Sequence, residues 1–503
     1  MTISDAFRLK TFLDNLGPDE VQRVQEPLDL VDVAKIVDST TKAVMFESVG
    51  PEHNKLAANV AGSRARLAQA FNTSQDELLA TVLRRLATPG AVVEVARDQA
   101  PVQQVVATGS DVNLFALPVH LQHSLDGGLF ISSAMDVSVD ESSGWSNIGI
   151  RRLMLHSPTQ TGIGLFSPSD LKAIYERSAA EQRHLPIAFV VGSHPVDHVA
   201  ATMRMRGDEL QLLASLRGQT ANVVKCVTND VRVPADAEYV IEGYLDAAGH
   251  KYPEGPFGEF LGYYGGVKLN PRFNVTAITR RHDAVFQTST IAGANMAYTD
   301  TAQLNSLRTE TVLWTALQSS VRGVLAVHAT AASGGMFNVR ISLRQFAQGE
   351  ARNVIATAFG CSVNVKHVFV VDDDIDIFSN EQMDWALATR FQADRDLVIQ
   401  GGFRAIPLDP SLNGANTGAK AGFDLTKSGL HRGTVESVVP ATPSFDHPRF
   451  ASIADALRDG EKTFEQLIGA VQSRDGREIV AQLFKLQQTG QVALADNGKW
   501  RYR

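Results

Sequence analysis

Two glutamates bracket a short segment in the middle of the chain, EGPFGE, which runs from Glu254 to Glu259. Its proline and two glycines disfavour a regular helix or a central strand, so we expect a tight turn. Such a turn can aim both carboxylates into one cavity, where paired acids keep one carboxyl group protonated and able to donate. The alternative is a surface turn with solvated acids. Four aromatic residues around the turn disfavour full solvation: Phe257, Phe260, Tyr263 and Tyr264.

A second candidate is the apolar segment SGWSNIGIRRLML, Ser143 to Leu155, which carries Asn147, Arg151 and Arg152. Polar groups in an apolar segment need hydrogen-bond partners. Arginine binds a carboxylate or a phosphate through two parallel hydrogen bonds, so these arginines could hold either ligand. An equally good interpretation is that Asn147 caps a turn while the arginines are solvated.

Glu209 lies in the segment MRMRGDEL, Met203 to Leu210, and is a candidate ligand for a hard cation. Together with the amide oxygen of Asn147 it would offer the oxygen atoms that Mg²⁺ or Mn²⁺ binds. The alternative is an ordinary charged residue near a loop, which is usually solvated.

Two further polar segments lie in the second half of the chain. Lys420, in ANTGAKAGFDLTKSG, is interpreted as part of a glycine-rich loop, where it could pair with a phosphate or equally lie at the surface. The acidic run Asp372–Asp376 has the composition of a metal site. We interpret it as structural, because acids at the C-terminal end of a strand often cap the next helix.

The elements that must position these residues differ along the first 300 residues. Residues 1–115 mix helical periodicity with short apolar runs and predict a small α/β unit. Residues 116–300 are rich in predicted strands, which at this density favour a barrel or a mixed sheet. The strands are predicted at Phe130–Val139, Ile187–Gly192, Ala221–Val227 and Phe273–Thr279.

The second half of the chain predicts a helix, an open sheet and a small tail. Apolar residues at helical spacing place a linker helix at 301–323, packed on both neighbours. Strands, such as His367–Val371, and helices alternate over 324–440, which is typical of an open α/β sheet. Residues 441–503 predict three short helices and a hairpin that turns at Asn497 and Gly498, the outline of a winged helix.

The composition fits an enzyme without structural disulfides. Of 503 residues, 44% are hydrophobic and 20% are charged, and the net charge of −8 offers no attraction to nucleic-acid phosphates. The two cysteines, Cys226 and Cys361, exclude a disulfide framework and a thiolate zinc site. The N-terminus lacks the apolar core of a signal peptide, and no apolar run reaches about 18 residues. We therefore expect a cytoplasmic enzyme with no membrane partner.

Five sequence blocks, in family order, resemble the UbiD family of prenylated-FMN-dependent decarboxylases. The resemblance runs from Leu117 to Thr426. It implies a fold of the mixed α/β (α+β) class, with an N-terminal α/β unit, a split β-barrel domain for the cofactor, a linker helix and a C-terminal α/β domain. The winged-helix-like tail follows these parts. The blocks are WSNIGIRRLM, GSHP, NVVKCVTNDVRVPADAEYVIEG, EGPFGEFLGYYGG and VKHVFVVDDDIDIFSNEQMDWALATRFQADRD.

By this resemblance the chain is a carboxy-lyase that reversibly removes CO2 from an aromatic or heteroaromatic acid, through a covalent adduct with prenylated FMN. Arg152, Glu254 and Glu259 match the family's Glu–Arg–Glu catalytic network. Arg152 is expected to orient the substrate carboxylate. Glu259 is expected to donate the proton to the carbon that loses CO2, with the other two residues tuning its pKa. A flavin prenyltransferase is the expected cofactor supplier, and a homodimer or a homohexamer is the expected assembly.

The resemblance also implies the cofactor and cation sites. Asn147 and Glu209 match ligands of a divalent cation, Mn²⁺ or Mg²⁺, that ties the phosphate of prenylated FMN to the protein. Where some members have a histidine ligand, this chain has Ser169 or Asp170, which become candidate cofactor and metal contacts. Lys420 matches a lysine that contacts the cofactor from the second domain. The remaining implied residues are Ile150, Arg151, Leu165 and Phe166 beside the cofactor, and Trp145, Thr202 and Met203 beside a potassium ion.

The segment TIAGANMAYTD resembles the family's substrate pocket and predicts the substrate. No lysine or arginine lies between Thr290 and Leu307 to bind a second carboxylate, and small residues would admit a flat bicyclic ring. Indole-3-carboxylate is the first expectation, with pyrrole or furan carboxylates and cinnamate-type acrylic acids as alternatives. Equally, the small residues could only allow close backbone packing. They are Ala292, Gly293, Ala294 and Ala297.

Two rival functions would use the same chain differently. A winged helix would suit a nucleic-acid-binding regulator, but residues 441–503 hold nine Lys or Arg and eight Asp or Glu, a net charge of only +1. We therefore expect a packing or oligomer element there and no nucleic-acid partner. An ordinary flavin oxidoreductase on a similar barrel would not need the Glu–Arg–Glu network, because hydride transfer needs no such acid.

Overall fold

The computed structural model describes residues 5–362, 364–427 and 439–503. The chain begins with a small α/β unit, as predicted. Leu9, Phe12 and Leu13 recur at one-turn spacing and bury one face of the first helix. The elements of this unit are α1 (Leu9–Asp14), β1 (Val21–Val24), α2 (Val33–Asp38), β2 (Ala43–Val49), β3 (Asn54–Ala58), α3 (Arg64–Ala70) and α4 (Leu78–Leu86).

The middle of the chain is rich in strands, as the sequence predicts. Its longer elements are β6 (Phe130–Asp140), β7 (Trp145–Ser157), α5 (Asp170–Ala180), β9 (Leu185–Val191), α6 (Pro195–Thr202), α7 (Glu209–Arg217), β12 (Tyr239–Leu245) and β17 (Arg272–Arg280). Its shorter strands are β4 (Val92–Glu94), β5 (Val105–Thr108), β8 (Gln160–Ile163), β10 (Ala221–Lys225), β11 (Arg232–Pro234), β13 (Tyr252–Glu254), β14 (Phe257–Glu259), β15 (Tyr263–Gly265), β16 (Lys268–Asn270) and β18 (Val285–Thr288).

Six of these strands close into a barrel. Their order is β12-β9-β6-β7-β8-β17, and an antiparallel pairing of β17 with β12 closes the ring. Alternate side chains point inward, and Phe189, Ile241 and Phe273 are among those that fill the interior. The prediction of a barrel is confirmed.

Strands are exchanged between the N-terminal unit and the barrel domain. β18 runs parallel to β3 as the fourth strand of the N-terminal sheet, although nearly the whole barrel precedes it in the chain. β5, which comes before residue 115, pairs with β17 of the barrel. β4 pairs with β10 beside it. The two predicted units at 1–115 and 116–300 are therefore joined by backbone hydrogen bonds as well as by side-chain packing.

A long helix links the barrel domain to the C-terminal domain, as predicted. It is α8 (Asp300–Ser320). Leu304 and Leu307 pack into the core that the barrel and α6 share. Leu313 and Leu317, two turns further on, pack into the core of the C-terminal domain. The helix therefore contacts both neighbours along one length.

The C-terminal domain is an open sheet with helices, which confirms the predicted α/β pattern. Its sheet has the order β19-β20-β21-β23-β22, with three parallel central strands and an antiparallel strand at each edge. The elements are β19 (Val324–Ala329), β20 (Asn338–Leu343), α9 (Glu350–Cys361), β21 (His367–Val371), α10 (Asn380–Arg390), α11 (Ala393–Asp396), β22 (Leu397–Arg404) and β23 (Thr417–Asp424).

The acidic run after β21 does not cap the next helix, so that detail of the prediction is wrong. Ser379 caps α10, and its side chain accepts a hydrogen bond from Gln382 N over 3.2 Å. Asp374 instead accepts from Arg390 Nη2 over 2.6 Å. Arg390 is buried, and a buried guanidinium needs a carboxylate partner more than a helix needs an acidic cap.

The tail has the outline of a winged helix, as predicted. Three helices surround a small core, and a hairpin follows them, while Lys462 forms an isolated bridge to Trp500 of the hairpin. Residues 428–438, before the predicted boundary at 441, lie outside the described residues. No described helix is long and apolar enough to cross a membrane. The tail elements are α12 (Ile453–Arg458), α13 (Phe464–Val471), α14 (Arg477–Gln488), β24 (Val492–Leu494) and β25 (Trp500–Tyr502).

Candidate active site

An arginine and two glutamates meet beside the barrel, and we name them the Arg152 cluster (Arg152, Glu254 and Glu259). Arg152 lies in β7, and Glu254 ends β13. Arg152 Nε donates to Glu254 Oε1 over 2.6 Å, and Nη2 donates to Oε2 over 3.2 Å. Glu254 is fully buried, so this bidentate ion pair is shielded from water.

Glu259 reaches the same guanidinium from the hairpin of β14 and β15. Arg152 Nη1 donates to Glu259 Oε1 over 2.9 Å. The carboxyl group lies over Gly265, where a Cβ atom would stand only 2.5 Å from Oε1. Phe257 of the same hairpin places its ring centre 4.4 Å from the guanidinium carbon. The turn therefore directs both of its acids at one arginine, as the paired-carboxylate interpretation requires.

Asn270 holds the cluster from the side opposite the hairpin, and the sequence did not point to it. Its Nδ2 donates to Glu254 Oε2 over 3.1 Å, and its Oδ1 accepts from Leu165 N over 3.1 Å. Asn270 is fully buried at the end of β16. A polar residue that ends a strand just before Pro271 is a weak signal, because such residues are usually turn formers.

The charges of the cluster suit the handling of a carboxylic acid. Burial lowers the pKa of Arg152, but the hydrogen bonds and charges of Glu254 and Glu259 outweigh burial and raise that pKa above its usual value. Burial and the charge of Glu259 raise the pKa of Tyr263 to about 12. Arg152 is therefore a permanent cation. Three of its N–H groups are used within the cluster, which leaves the others for a ligand's carboxylate.

Asn147 and Glu209, the predicted metal ligands, lie in contact. Asn147 Nδ2 donates to Glu209 Oε2 over 3.0 Å, and Ile148 N donates to the same oxygen over 2.6 Å. Burial raises the pKa of Glu209 to about 7, although the hydrogen bond from Ile148 opposes that rise. A carboxylate and an amide carry oxygen atoms of the kind that a hard cation binds, although in this contact the amide presents its nitrogen to Glu209. Among the described residues, no group of three His, Cys, Asp or Glu side chains could hold a metal ion.

Ser169 and Asp170, which stand in place of the family's histidine, have other partners in this structure. Ser169 caps α5 by accepting from Lys172 N over 3.2 Å. The Asp170 carboxylate pairs with Arg204 Nε over 2.8 Å. Asp170 is nevertheless close enough to Glu209 for its charge to raise the pKa of that residue. The three carboxylate and guanidinium groups thus form one charged neighbourhood.

The other predicted cofactor contacts fall on or next to β7 and β8. Ile150 packs on the apolar core beside α6, whereas Arg151 lies 3.7 Å from the buried Asp136. Leu165 is buried and donates its N–H to Asn270, as described above. Phe166 is half exposed, and the Lys268 ammonium lies 4.8 Å from the centre of its ring.

The predicted potassium contacts lie on two elements that flank Glu209. Trp145 begins β7 and is half exposed. Thr202 ends α6 and donates its hydroxyl to Val199 O over 2.8 Å, and Met203 follows as a buried residue. This arrangement leaves the potassium site a prediction.

Lys420 lies in strand β23, so its placement in a loop is wrong. The alternating burial of β23 turns this side chain into the C-terminal domain. Its Nζ donates to Phe359 O over 2.8 Å and to Ser362 O over 2.7 Å, at the C-terminal end of α9. A lysine there neutralises carbonyls that the helix leaves unpaired. The contact of Lys420 with a cofactor stays a prediction.

Three family models match the chain in the order of its domains. They describe 3-octaprenyl-4-hydroxybenzoate carboxy-lyase: its N-terminal domain matches residues 17–86, its Rift-related domain 93–295 and its C-terminal domain 302–425. Together the matches span well over half of the chain. The chain belongs to the UbiD family. The family resemblance inferred from the five sequence blocks is confirmed.

Characterised UbiD relatives are similar over most of their length. The anhydromevalonate phosphate decarboxylase of Aeropyrum pernix is 30% identical over 424 residues, which are 83% of this chain and 92% of the relative. The phenolic acid decarboxylase of Sedimentibacter hydroxybenzoicus is 29% identical over 442 residues, 84% of this chain and 88% of the relative. The protein is therefore a carboxy-lyase of the UbiD type.

Solved UbiD-class structures share the fold. An evolved dimeric form of HmfF from Pelotomaculum thermopropionicum, in complex with prFMN, matches with a TM-score of 0.76 at 31% identity, over 83% of this chain and 94% of that one. The vanillic acid decarboxylase of Sedimentibacter hydroxybenzoicus in its closed form matches with a TM-score of 0.73 at 27% identity, over 97% and 100%. The predicted fold class is confirmed.

Proposed function

We propose that this UbiD enzyme reversibly decarboxylates an aromatic or heteroaromatic acid with prenylated FMN as its cofactor. The observation that carries the proposal is the Arg152 cluster, in which one guanidinium holds two buried acids, and one of them, Glu259, accepts a single hydrogen bond among the described residues. The complex of HmfF with prFMN supports the choice of cofactor. The names of the phenolic acid and vanillic acid decarboxylases support the substrate class.

Each residue of the Arg152 cluster has a different role in the proposed reaction. Bound prenylated FMN supplies the electron sink for the charge that the loss of CO2 leaves on the substrate carbon. Arg152 uses its remaining N–H groups to orient the substrate carboxylate. Glu254 fixes the guanidinium plane through its bidentate pair. Glu259, which accepts a single hydrogen bond from Arg152, carries the proton to the carbon and takes it back in the reverse direction.

The cofactor phosphate would be held through cations. Asn147 and Glu209 would bind Mn²⁺ or Mg²⁺ through the amide oxygen and a carboxylate oxygen, and the two side chains lie within hydrogen-bond distance of each other. Trp145, Thr202 and Met203 would hold K⁺ beside it. A flavin prenyltransferase would supply the cofactor, and we propose a homodimer or a homohexamer as the assembly.

A cavity beside the catalytic turn supports the substrate choice. Its wall includes Thr290, Ile291 and Ala292 of the predicted substrate segment. Among the described residues, no lysine or arginine lines this cavity, which favours an acid with a single carboxylate. Burial and the charge of His123 lower the pKa of His120 in its wall to about 4, so His120 stays neutral at pH 7. Indole-3-carboxylate is our first choice, ahead of pyrrole and furan carboxylates and cinnamate.

One preparation tests the proposal. The chain is co-expressed with a flavin prenyltransferase, and CO2 release is measured from indole-3-carboxylate, pyrrole-2-carboxylate, furan-2,5-dicarboxylate and cinnamate. The expected result is turnover of a monocarboxylate, with the highest kcat/KM for indole-3-carboxylate. A clear preference for cinnamate or the dicarboxylate would reject the substrate choice alone. If no aromatic or acrylic acid loses CO2 while the flavin is bound, the proposed reaction is wrong.

A further inference from the structure

The backbone of the catalytic turn is tied to a buried aspartate that precedes β6. Gly258 N donates to Asp126 Oδ1 over 2.8 Å. Asp126 has a side chain only 1% exposed, and its other oxygen accepts from His123 N over 3.0 Å. Gly258 is the residue before Glu259, so this hydrogen bond acts on the peptide that carries the second acid of the Arg152 cluster.

The same segment touches the turn a second time at its proline. Gly127 N donates to Pro256 O over 2.8 Å. A Cβ atom on Gly127 would stand 2.2 Å from Gly255 O and 2.9 Å from Pro256 Cδ. The two backbones therefore approach as closely as they do only because residue 127 has no side chain. Gly128 differs, because a Cβ atom there would meet only the flexible end of Met154.

A third contact lies on the far side of the hairpin. The imidazole of His123 occupies the place beside Gly258, where a Cβ atom would stand 2.5 Å from its Nδ1. Tyr264 pairs with Gly258 across the hairpin, and its hydroxyl lies 3.4 Å from Leu125 N. Burial lowers the pKa of His123, but the hydrogen bond to Asp126 and its charge outweigh burial and raise it. Protonation of His123 would strengthen its pairing with Asp126.

We propose that residues His123–Gly128, which we name the brace, set the position of Glu259 opposite Arg152, with Asp126 as the positioning residue. The brace contacts the turn at Pro256, at Gly258 and at Tyr264, whereas the Glu259 carboxyl group accepts one hydrogen bond among the described residues. Because the Glu259 carboxyl group accepts so few hydrogen bonds, its position depends on the position of its backbone. This inference rests on the proposed role of Glu259 as the proton donor.

Displacement of the proton donor should lower the reaction rate and leave the binding of substrate and flavin unchanged. A misplacement of about 1 Å in a catalytic geometry can cost roughly 10²-fold in rate. Asp126→Ala removes the bond to Gly258 and should lower kcat by about that factor, while KM and flavin occupancy stay within about twofold. Asp126→Asn keeps an oxygen that can accept from Gly258 N, so we expect its kcat to fall by no more than about threefold. The solvent isotope effect on kcat should rise in Asp126→Ala, because proton transfer becomes slower.

Two neighbouring glycines give a matched pair of variants. Gly127→Ala pushes against the Gly255 carbonyl and should reproduce the kcat loss of Asp126→Ala without touching any charged group. Gly128→Ala meets only the end of Met154 and should keep the kcat of the parent enzyme. Melting temperatures of all four variants identify any general loss of folding.

Amide exchange supplies a readout that does not depend on turnover. In the full-length protein, the Gly258 amide should exchange at least about tenfold faster in Asp126→Ala than in the parent or in Asp126→Asn, because its acceptor is removed. Unchanged protection of Gly258 in Asp126→Ala, or an unchanged kcat in a variant whose Gly258 is deprotected, overturns the brace. If Glu259→Gln itself retains full activity while Gly258 responds as expected, the proposed role of Glu259 as the proton donor has failed and the structural contact has not.

Discussion

Arg217 and Arg152 each bind two carboxylates, and the Arg217 cluster is closed to solvent whereas the Arg152 cluster is partly open. Arg217 of α7 donates through Nε and Nη2 to Asp197 over 2.7 and 2.6 Å, and through Nη1 and Nη2 to Asp236 over 2.7 and 3.1 Å. Its side chain is 2% exposed. The Arg152 cluster has the same charge and similar distances, but the Arg152 side chain is 17% exposed.

The two clusters differ in how many hydrogen bonds their carboxylate oxygens accept. All four oxygens of Asp197 and Asp236 accept hydrogen bonds from Arg217. Glu259 accepts one, through Oε1, within the part of the chain that the structure describes. A closed cluster of this kind stabilises the fold, whereas an open one can exchange a proton with a ligand. Composition alone would not separate the two.

The largest effect is expected on kcat, when the acid Glu259 of the open cluster is replaced. Glu259→Gln keeps the shape of the side chain and removes its proton, so we expect kcat to fall about 10³-fold, within the usual range for a general acid. Flavin occupancy, read from the absorption spectrum, should stay at the parent value. The matched change in the closed cluster, Asp236→Asn, should lower the melting temperature and leave kcat per folded molecule unchanged. Near-normal turnover in Glu259→Gln would show that another group donates the proton.

The second largest effect is expected on stability, when the arginine of the closed cluster is removed. Arg217→Met leaves two buried carboxylates without the guanidinium that pairs with them and should cost about 3 kcal/mol in the free energy of unfolding, measured by urea denaturation. Arg152→Met is the matched variant, and it should lose activity with a smaller loss of stability because the Arg152 side chain is 17% exposed, so water can reach the place that it leaves. Equal losses of stability in the two variants would contradict the distinction between a closed and an open cluster.

A third buried acid sharpens the comparison because its hydrogen-bond donors are neutral. Glu209 accepts from Asn147 and from the backbone of Ile148. Glu209→Ala should lower flavin occupancy roughly tenfold at limiting Mn²⁺ and K⁺, since it removes a ligand of the proposed phosphate-bridging metal. Glu242, also buried, accepts from the amides of Val227 and Thr228, and Glu242→Ala is the control with normal occupancy. Full occupancy in Glu209→Ala would remove the metal bridge from the proposal.

The smallest expected effect concerns a region without such a cluster. Deletion of residues 441–503 should change assembly or solubility, measured by light scattering, and should change kcat by no more than about twofold. The net charge of +1 in this tail gives little attraction to DNA. A salt-sensitive, sequence-specific DNA complex of the full chain at physiological ionic strength would contradict this assignment.

Much of the fold was predictable because it depends on local periodicity. The linker helix α8, the strand His367–Val371 and the tail with its turn at Asn497 and Gly498 follow from spacing and turn chemistry that neighbouring residues already contain. The strand exchange was not predictable in this way. The strand Val285–Thr288 was not among those predicted, and nothing local says which sheet it joins.

The site residues likewise divide into those that local sequence patterns indicate and those that depend on contacts between distant parts of the chain. The turn at Glu254 and Glu259 and the arginines of β7 are visible as local patterns, and the family resemblance favours their catalytic interpretation over a solvated one. Asn270 and Asp126 act through contacts between distant parts of the chain, and each resembles an ordinary turn former. Lys420 shows the opposite error, because its glycine-rich neighbours indicate a loop while cross-strand pairing makes the segment a strand.

The place of β18 in the N-terminal sheet has a consequence for synthesis on the ribosome. Its partner β3 ends at Ala58, whereas β18 begins only at Val285, after every barrel strand has been made. During synthesis, the edge of β3 therefore has no partner strand until the barrel strands and then β18 have been made. Contacts between residues so far apart form slowly, because a long loop must close first. Premature release of the nascent chain before Thr288 would yield a fragment with an exposed strand edge, which invites association with other chains.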